Sequence, residues 1–131
     1  MVEGFGGAER RRFKRLKVDF SVTYLVRQPP EVLMRVGGKE IETVMLDLSE
    51  EGMAIKTGTD IPLETDLAMS FMLVYAYKTY ENVMQDMKIE GRVVNRVKLG
   101  NNEFRLGIHF TKISDHDRNM IADFVKIVSA R

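Results

Sequence analysis

The chain contains no cysteine and no tryptophan, and only three of its 131 residues are proline. Without thiols it can form neither a disulfide nor a thiolate metal site, and it has no cysteine nucleophile. No apolar run approaches the roughly 20 residues that a membrane-spanning helix needs. The N-terminal residues also lack the apolar segment of a signal peptide. We therefore expect a cytoplasmic protein that does not insert into membranes.

The chain also lacks an excess of either charge. Twenty Lys and Arg residues oppose nineteen Asp and Glu residues, which gives a formal net charge of +1. Nucleic-acid-binding domains are usually strongly basic, so a general role in binding nucleic acid is not expected. The length and the 44% hydrophobic content are typical of one globular domain with its own core. Any recognition of anions must depend on a local cluster of charge.

Alternating apolar residues are the dominant pattern, and this period of two predicts β-strands. The segment 76–85 follows no clear pattern, and we expect either a long loop or one or two helical turns there. The chain then changes period after residue 113. The six predicted strands are Val18–Val26, Glu40–Leu46, Met53–Thr57, Leu67–Tyr75, Met87–Val93 and Phe104–Phe110.

A helix is predicted at the C-terminal end, over residues 115–129. Ser114 and Asp117 have the spacing of a capping box, and apolar residues then recur at helical spacing from Met120 to Val128. Six strands and one helix predict an all-β fold, a six-stranded antiparallel β-barrel with a C-terminal α-helix. We expect a flexible lead-in over residues 1–9, and a single domain over 10–131 whose barrel occupies about 16–111.

The sequence contains no recognisable catalytic motif. The two histidines, His109 and His116, have no metal-site spacing, and His109 is expected to be a solvent-facing strand residue. Neither a nucleophile elbow, a Walker loop nor a glycine-rich dinucleotide motif is present. We therefore expect a protein without enzymatic activity, cofactor or metal.

Two short motifs stand apart from these ordinary features. The stretch ERRRFKR at residues 9–15 contains Arg11 and Arg15 in the spacing RxxxR, and DLSEEG at residues 47–52 lies between two predicted strands. Taken alone, DLSEEG indicates a tight hairpin. Asp and Ser side chains satisfy turn backbone groups, and Gly52 is expected to supply an unusual φ angle.

Together, the two motifs resemble those of PilZ domains, which carry RxxxR followed by [D/N]xSxxG in the same order and at a similar separation. The segment FRLGIHF at residues 104–110 and the C-terminal helix are also similar to the end of that family's pattern. The resemblance covers about residues 9–129. It implies a six-stranded β-barrel that acts as a bacterial receptor for cyclic di-GMP.

By position, the resemblance assigns Arg11 and Arg15 to the phosphates and guanines of the ligand. An arginine combines a fork of donors for phosphate oxygens with a flat surface that stacks on a base. Asp47, Ser49 and Gly52 would form the turn that holds a guanine, because an ionised carboxylate accepts from the N1 and N2 donors. Arg10 lies directly before RxxxR, and an arginine at this position resembles the motif of family members that bind two mutually stacked ligands.

The resemblance also suggests how such a receptor would work. The N-terminal arm would order when its arginines meet the phosphates, and the signal would pass to an unidentified downstream protein. Two alternatives remain open. One is a degenerate PilZ-like adaptor that acts only through protein contacts, although both motifs are intact. The other is a basic arm that binds nucleic acid or anionic lipid, which the near-neutral charge disfavours.

Overall fold

Strands make up most of the chain in a computed structural model that describes residues 13–78 and 81–130. The predicted lead-in at residues 1–9 therefore lies outside the described residues. In chain order the elements are β1 (Leu16–Gln28), α1 (Pro30–Val36), β2 (Ile41–Ser49), β3 (Gly52–Thr57), β4 (Asp66–Lys78), β5 (Glu81–Gly100), β6 (Glu103–Lys112) and α2 (Asp115–Ser129).

The six strands form a closed ring in the order β1-β2-β3-β6-β5-β4, in which β4 pairs back onto β1. Every neighbouring pair is antiparallel, as in Tyr24 opposite Ile41 and Tyr24 opposite Met69 on its two sides. Closure leaves the central part of each strand paired on both edges. The predicted six-stranded antiparallel barrel with a C-terminal helix is confirmed.

The interior of the ring is filled by the apolar half of each alternating strand. Leu48, Ile55, Leu67 and Leu106 are all completely buried there. Burying a side chain of this size stabilises the fold by about 1.5–3 kcal/mol. Since the interior is packed with side chains, any binding site must lie at an end of the barrel or on its outer face.

Helix α2 packs against β2 and β4, and its residues Phe124 and Val128 line a groove with the start of β1. The ring of Phe124 lies 5.6 Å from that of Phe20 and 5.5 Å from that of Tyr75, centroid to centroid. The helix begins as predicted: Asp117 N–H donates to the hydroxyl of Ser114 at 3.0 Å. This cap satisfies one of the free donors of the first turn.

Two segments differ from the expectations. Within the unpatterned segment, residues 76–78 and 81–85 form neither a long loop nor a helix, because β4 continues to Lys78 and pairs with β5, for example Val74 opposite Met84. The extension lies beyond the predicted end at Tyr75 and rests on pairing with β5, as in Ala76 opposite Asn82, which a local pattern does not reveal. Helix α1 was not expected at all. Proline in its first turn and Gly37 at its end, with φ 86°, are typical helix boundaries.

A tight turn connects β5 to β6. Asn101 and Asn102 both have positive φ, 42° and 63°, as a two-residue type I′ hairpin requires. Asparagine tolerates this left-handed conformation better than most residues. The turn begins the β5–β6 ladder with Gly100 opposite Glu103, and an irregularity between Lys98 and Gly100 shifts the register before the candidate site.

Among the helices of the described residues, none is both long and apolar enough to cross a membrane.

Candidate functional site

A hollow on the outer face of the barrel is produced by a row of small residues. Asp47 on β2 lies opposite Ala54 on β3, Ala54 lies opposite Gly107 on β6, and Gly107 lies opposite Asn95 on β5. Residues directly opposed on antiparallel strands share one face of the sheet. Ala54 and Gly107 contribute almost no side chain, so the face is depressed between larger neighbours. The hollow has a volume of about 370 Å³ and is lined by Arg15, Glu51, Ala54, Val94, Asn95, Arg105, Gly107, Ile108 and His109.

The carboxylate of Asp47 lies between two arginines at the edge of this hollow. Nη1 of Arg15 donates to Oδ1 at 2.8 Å, and Nη2 of Arg105 donates to Oδ2 at 2.9 Å. The Asp47 side chain is 13% exposed, against 23% for Arg15 and 35% for Arg105. An ionised carboxylate only accepts, so each oxygen is satisfied by a charged donor. The arrangement places two guanidinium groups around one acceptor at the mouth of a surface hollow.

Ser49 holds the turn between β2 and β3. Its side chain is completely buried. The Glu51 N–H donates to the Ser49 hydroxyl at 3.3 Å, and that hydroxyl donates to the carbonyl of Gly52 at 3.4 Å. A serine that bonds to nearby backbone in this way stabilises a tight turn. In this structure the Ser49 hydroxyl lies inside the turn, whereas Glu51 of the same motif lines the hollow.

Gly52 is required for a reason other than the one expected. Its φ is not positive, unlike that of Gly37, Gly38 and Gly100, so the expectation of an unusual φ was wrong. A Cβ built on Gly52 would instead lie 2.3 Å from the carbonyl oxygen of Ile108. The backbones of β3 and β6 approach so closely here that only glycine fits.

The DLSEEG turn is also fixed from outside the hairpin. The Phe110 N–H on β6 donates to the carbonyl of Glu51 at 2.9 Å. From the first turns of α2, Nη1 of Arg118 donates to the carbonyl of Glu50 at 3.2 Å. The turn next to Asp47 is therefore connected both to the barrel wall and to the C-terminal helix.

The structure unites part of the set that the sequence predicted. Arg15 and Asp47 are in direct contact, and Ser49 and Gly52 belong to the same hairpin. Arg10 and Arg11 lie outside the described residues, so their predicted roles stay predictions.

Arg105 is the site residue that sequence reasoning missed. The alternation in FRLGIHF does place Arg105, Gly107 and His109 together on the face opposite the buried Phe104, Leu106 and Ile108. That alternation shows that Arg105 points outwards. It does not show that β6 lies beside β3, which is what brings Arg105 to Asp47.

No group of acidic or histidine side chains in the described part of the chain could hold a metal ion. His109 is exposed at the rim of the hollow, as expected for a solvent-facing strand residue. The chemistry of the site is therefore that of hydrogen bonding and charge, supplied by arginine and carboxylate groups.

The family model for the PilZ domain matches residues 9–126. No curated protein sequence matches the chain. Solved structures share its fold at low sequence identity. The PilZ domain of YcgR from Escherichia coli, solved with c-di-GMP, is 14% identical with a TM-score of 0.56, and the match covers 92% of each chain.

Two longer proteins also contain this fold. The inhibitor of motility MotI/DgrA from Bacillus subtilis is 17% identical with a TM-score of 0.70, over 92% of this chain and 52% of that one. The MrkH–c-di-GMP complex from K. pneumonia is 15% identical with a TM-score of 0.58, over 92% of this chain and 54% of that one. The chain thus spans about half the length of these two proteins.

Proposed function

The chain belongs to the PilZ domain family, and from this we propose that it is a receptor for cyclic di-GMP with no enzymatic activity of its own. The observation that carries the proposal is the placement of Asp47 between Arg15 and Arg105 at the mouth of the outer hollow. Two of these three residues belong to the motifs that resemble the ligand-binding motifs of the family. Two proteins of similar fold, YcgR and MrkH, were solved with c-di-GMP.

The chemistry of the ligand fits this placement. Cyclic di-GMP carries two phosphate charges and two guanines, so it requires cationic donors together with an acceptor for base N–H groups. The two arginines supply bidentate donors for phosphate oxygens and flat surfaces for stacking. Asp47 supplies the acceptor for the N1 and N2 donors of guanine. The volume of the hollow is within the range of ordinary small-molecule sites.

The proposal includes the N-terminal arm. Arg10 and Arg11 would close over the phosphates, and the arm would order as the ligand binds. Hydrogen exchange of residues 1–12 with and without ligand tests this step. Slower exchange in the presence of cyclic di-GMP supports it, and unchanged exchange at saturating ligand contradicts it.

The proposal also includes a downstream protein that recognises the ligand-bound form. The hydrogen bond from Arg118 to the Glu50 carbonyl connects the turn beside Asp47 to α2. A shift of the turn would therefore break this bond or move the start of the helix. Pull-down from the source cell at saturating ligand and without ligand tests this step. A protein retained only in one of the two states supports it, and identical capture in both contradicts it.

Calorimetry tests the receptor proposal directly. We expect cyclic di-GMP to bind at micromolar protein, and Arg15→Ala and Asp47→Ala each to weaken binding by about tenfold or more, because each removes a charged hydrogen bond of about 1.5–3 kcal/mol. Asp66→Ala is the matched control, since it removes a comparable carboxylate that pairs with Arg92 away from the hollow. No heat with excess ligand would refute the receptor and leave the protein-contact adaptor.

Salt dependence separates the receptor from a nonspecific phosphate binder. Binding through phosphate charge alone falls steeply with salt and is insensitive to base identity. We expect cyclic di-GMP to bind at physiological salt and an oligonucleotide of mixed sequence not to compete with it. Competition by the oligonucleotide would favour the basic-arm alternative.

A further inference from the structure

We infer that Arg105 is the positioning residue that holds Asp47 for base recognition, whereas Arg15 is the partner that Asp47 releases when the ligand binds. The inference rests on the proposed function and deepens it. It divides the two arginines of the site into a fixed one and an exchangeable one. The division follows from how each arginine is attached to the fold.

Arg105 is attached rigidly. It lies in the middle of β6, where its backbone pairs with Lys56 on β3 and with Val97 on β5. The neighbouring residues Phe104 and Leu106 are buried in the core, which fixes the strand against rotation. A strand anchored on both edges and on its inner face leaves only the side-chain torsions of Arg105 to vary.

Arg15 is attached more loosely. It precedes β1, whose pairing with β2 begins at the next residue, Leu16 opposite Leu48. Asp47 pairs with Lys17 on that same strand, so Arg15 reaches the carboxylate from the end of the ladder and not from within it. A residue at a strand end moves at a smaller free-energy cost than one inside a paired strand.

When a dianion enters the hollow, the Arg15–Asp47 contact therefore breaks and the Arg105–Asp47 contact remains. The phosphate competes for the guanidinium of Arg15, and Arg15 follows it, which frees Oδ1 of Asp47 to accept from guanine. Oδ2 keeps its hydrogen bond from Arg105, which fixes the plane of the carboxylate. Each carboxylate oxygen accepts at more than one position, so Oδ2 can also accept from the base.

Because of this division, cyclic dinucleotides that differ only in their bases can distinguish the role of Arg15 from that of Arg105. Contacts to phosphate carry no information about the base, whereas contacts to base edges do. Loss of Arg15 should weaken all cyclic dinucleotides equally. Loss of Arg105 should weaken the preference for guanine, since the carboxylate is then less well oriented.

The test compares cyclic di-GMP with cyclic di-IMP, which lacks the N2 amino group, in titrations of the full chain. We expect the wild type to prefer the guanine ligand by about tenfold, the value of one hydrogen bond to a charged group. We expect Arg15→Gln to weaken both ligands by about tenfold with an unchanged ratio. Arg105→Gln should reduce the ratio by at least about threefold, and Arg105→Lys, which keeps the charge, should restore part of it.

Arg92→Gln is the matched control, because it breaks the Arg92–Asp66 pair between β5 and β4 and should change neither ligand. Equal weakening of both ligands by Arg105→Gln, or a ratio that falls in Arg15→Gln instead, overturns the inference. Should Arg105→Gln fail to fold in a thermal melt, Arg105→Lys decides, and a wild-type ratio in that variant at reduced affinity for both ligands overturns it too. A wild type that binds neither ligand refutes the proposed function itself, whereas a wild type that binds without the Arg105 effect refutes only the inference.

Discussion

A Cβ atom on Gly52 would lie 2.3 Å from the carbonyl oxygen of Ile108, so β3 and β6 touch backbone to backbone where the DLSEEG motif ends. The contact lies one residue from the Glu51 carbonyl, which accepts from Phe110 N–H. The glycine of the motif is therefore set by packing inside the barrel wall. Its conservative replacement should affect folding first and ligand binding second.

We expect Gly52→Ala to lower the free energy of unfolding by about 1–3 kcal/mol, the usual cost of forcing an extra methyl group into a packed site. Urea unfolding measures it. Gly58→Ala is the matched control, because a Cβ there would lie 3.7 Å from its nearest neighbour, the Asn102 carbonyl oxygen. A Gly52→Ala variant as stable as Gly58→Ala would contradict the packing explanation.

Ser49→Ala should lower the free energy of unfolding by about 1 kcal/mol, because the buried hydroxyl bonds to the Glu51 N–H and the Gly52 carbonyl. Affinity for cyclic di-GMP should fall by less than in Asp47→Ala, since Ser49 acts by holding the turn. Ser129→Ala, which removes an exposed hydroxyl on α2, serves as the control for unfolding. A larger effect on binding than that of Asp47→Ala would show that Ser49 contacts the ligand directly.

Titration with cyclic di-GMP should approach two ligands per chain, and Arg10→Leu should reduce it to one, since an arginine before RxxxR resembles the feature of members that bind a stacked pair. Calorimetric stoichiometry measures this. Lys14→Leu removes a neighbouring exposed charge and should leave the stoichiometry unchanged. A wild type that saturates at one ligand per chain would rule out a stacked pair.

Alkaline pH should destabilise the protein through Tyr24. Burial raises the pKa of Tyr24 above its ordinary value of 10.0, and a hydrogen bond of 2.7 Å to Thr57 lowers it by a smaller amount. Above about pH 10 the unfolded chain loses this proton while the folded chain keeps it, so the free energy of unfolding falls as pH rises. Below about pH 10 both states are protonated and the contribution is complete.

Tyr24→Phe isolates this effect. At pH 8 the variant should be less stable than the wild type by about 1 kcal/mol, the value of the lost hydrogen bond to Thr57. At about pH 11 the difference should shrink, because phenylalanine has no proton to lose. Urea unfolding of both proteins at the two pH values measures this difference in the free energy of unfolding. A difference that is the same at pH 8 and pH 11 would contradict the assignment.

The fold could be predicted where local pattern and tertiary structure agree. The alternation from Val18 to Val26 and the cap at Ser114 depend on nearest neighbours, so the sequence displays them directly. Helix α1 and the extension of β4 past Ala76 depend on packing partners far along the chain. Their local sequences give no comparable signal.

The same distinction divides the candidate site. Arg15 and Asp47 belong to recognisable motifs, and the structure joins them across 32 positions. Arg105 is 58 positions from Asp47, and its place follows from the pairing of β6 with β3. A single sequence shows that Arg105 faces outwards but not which strand lies beside it. The missing information was the pairing of β6 with β3, and not the residue type.

Because the hollow is on the outer face of the closed barrel, recognition and folding make separate demands on the sequence. Arg15, Asp47 and Arg105 point away from the interior, where Leu48, Ile55 and Leu106 hold the strands together. Replacing the outward residues changes the charge and hydrogen bonding of the hollow and leaves the core as it was. Sequence changes at the outer hollow can therefore accumulate at little cost to the stability of the fold.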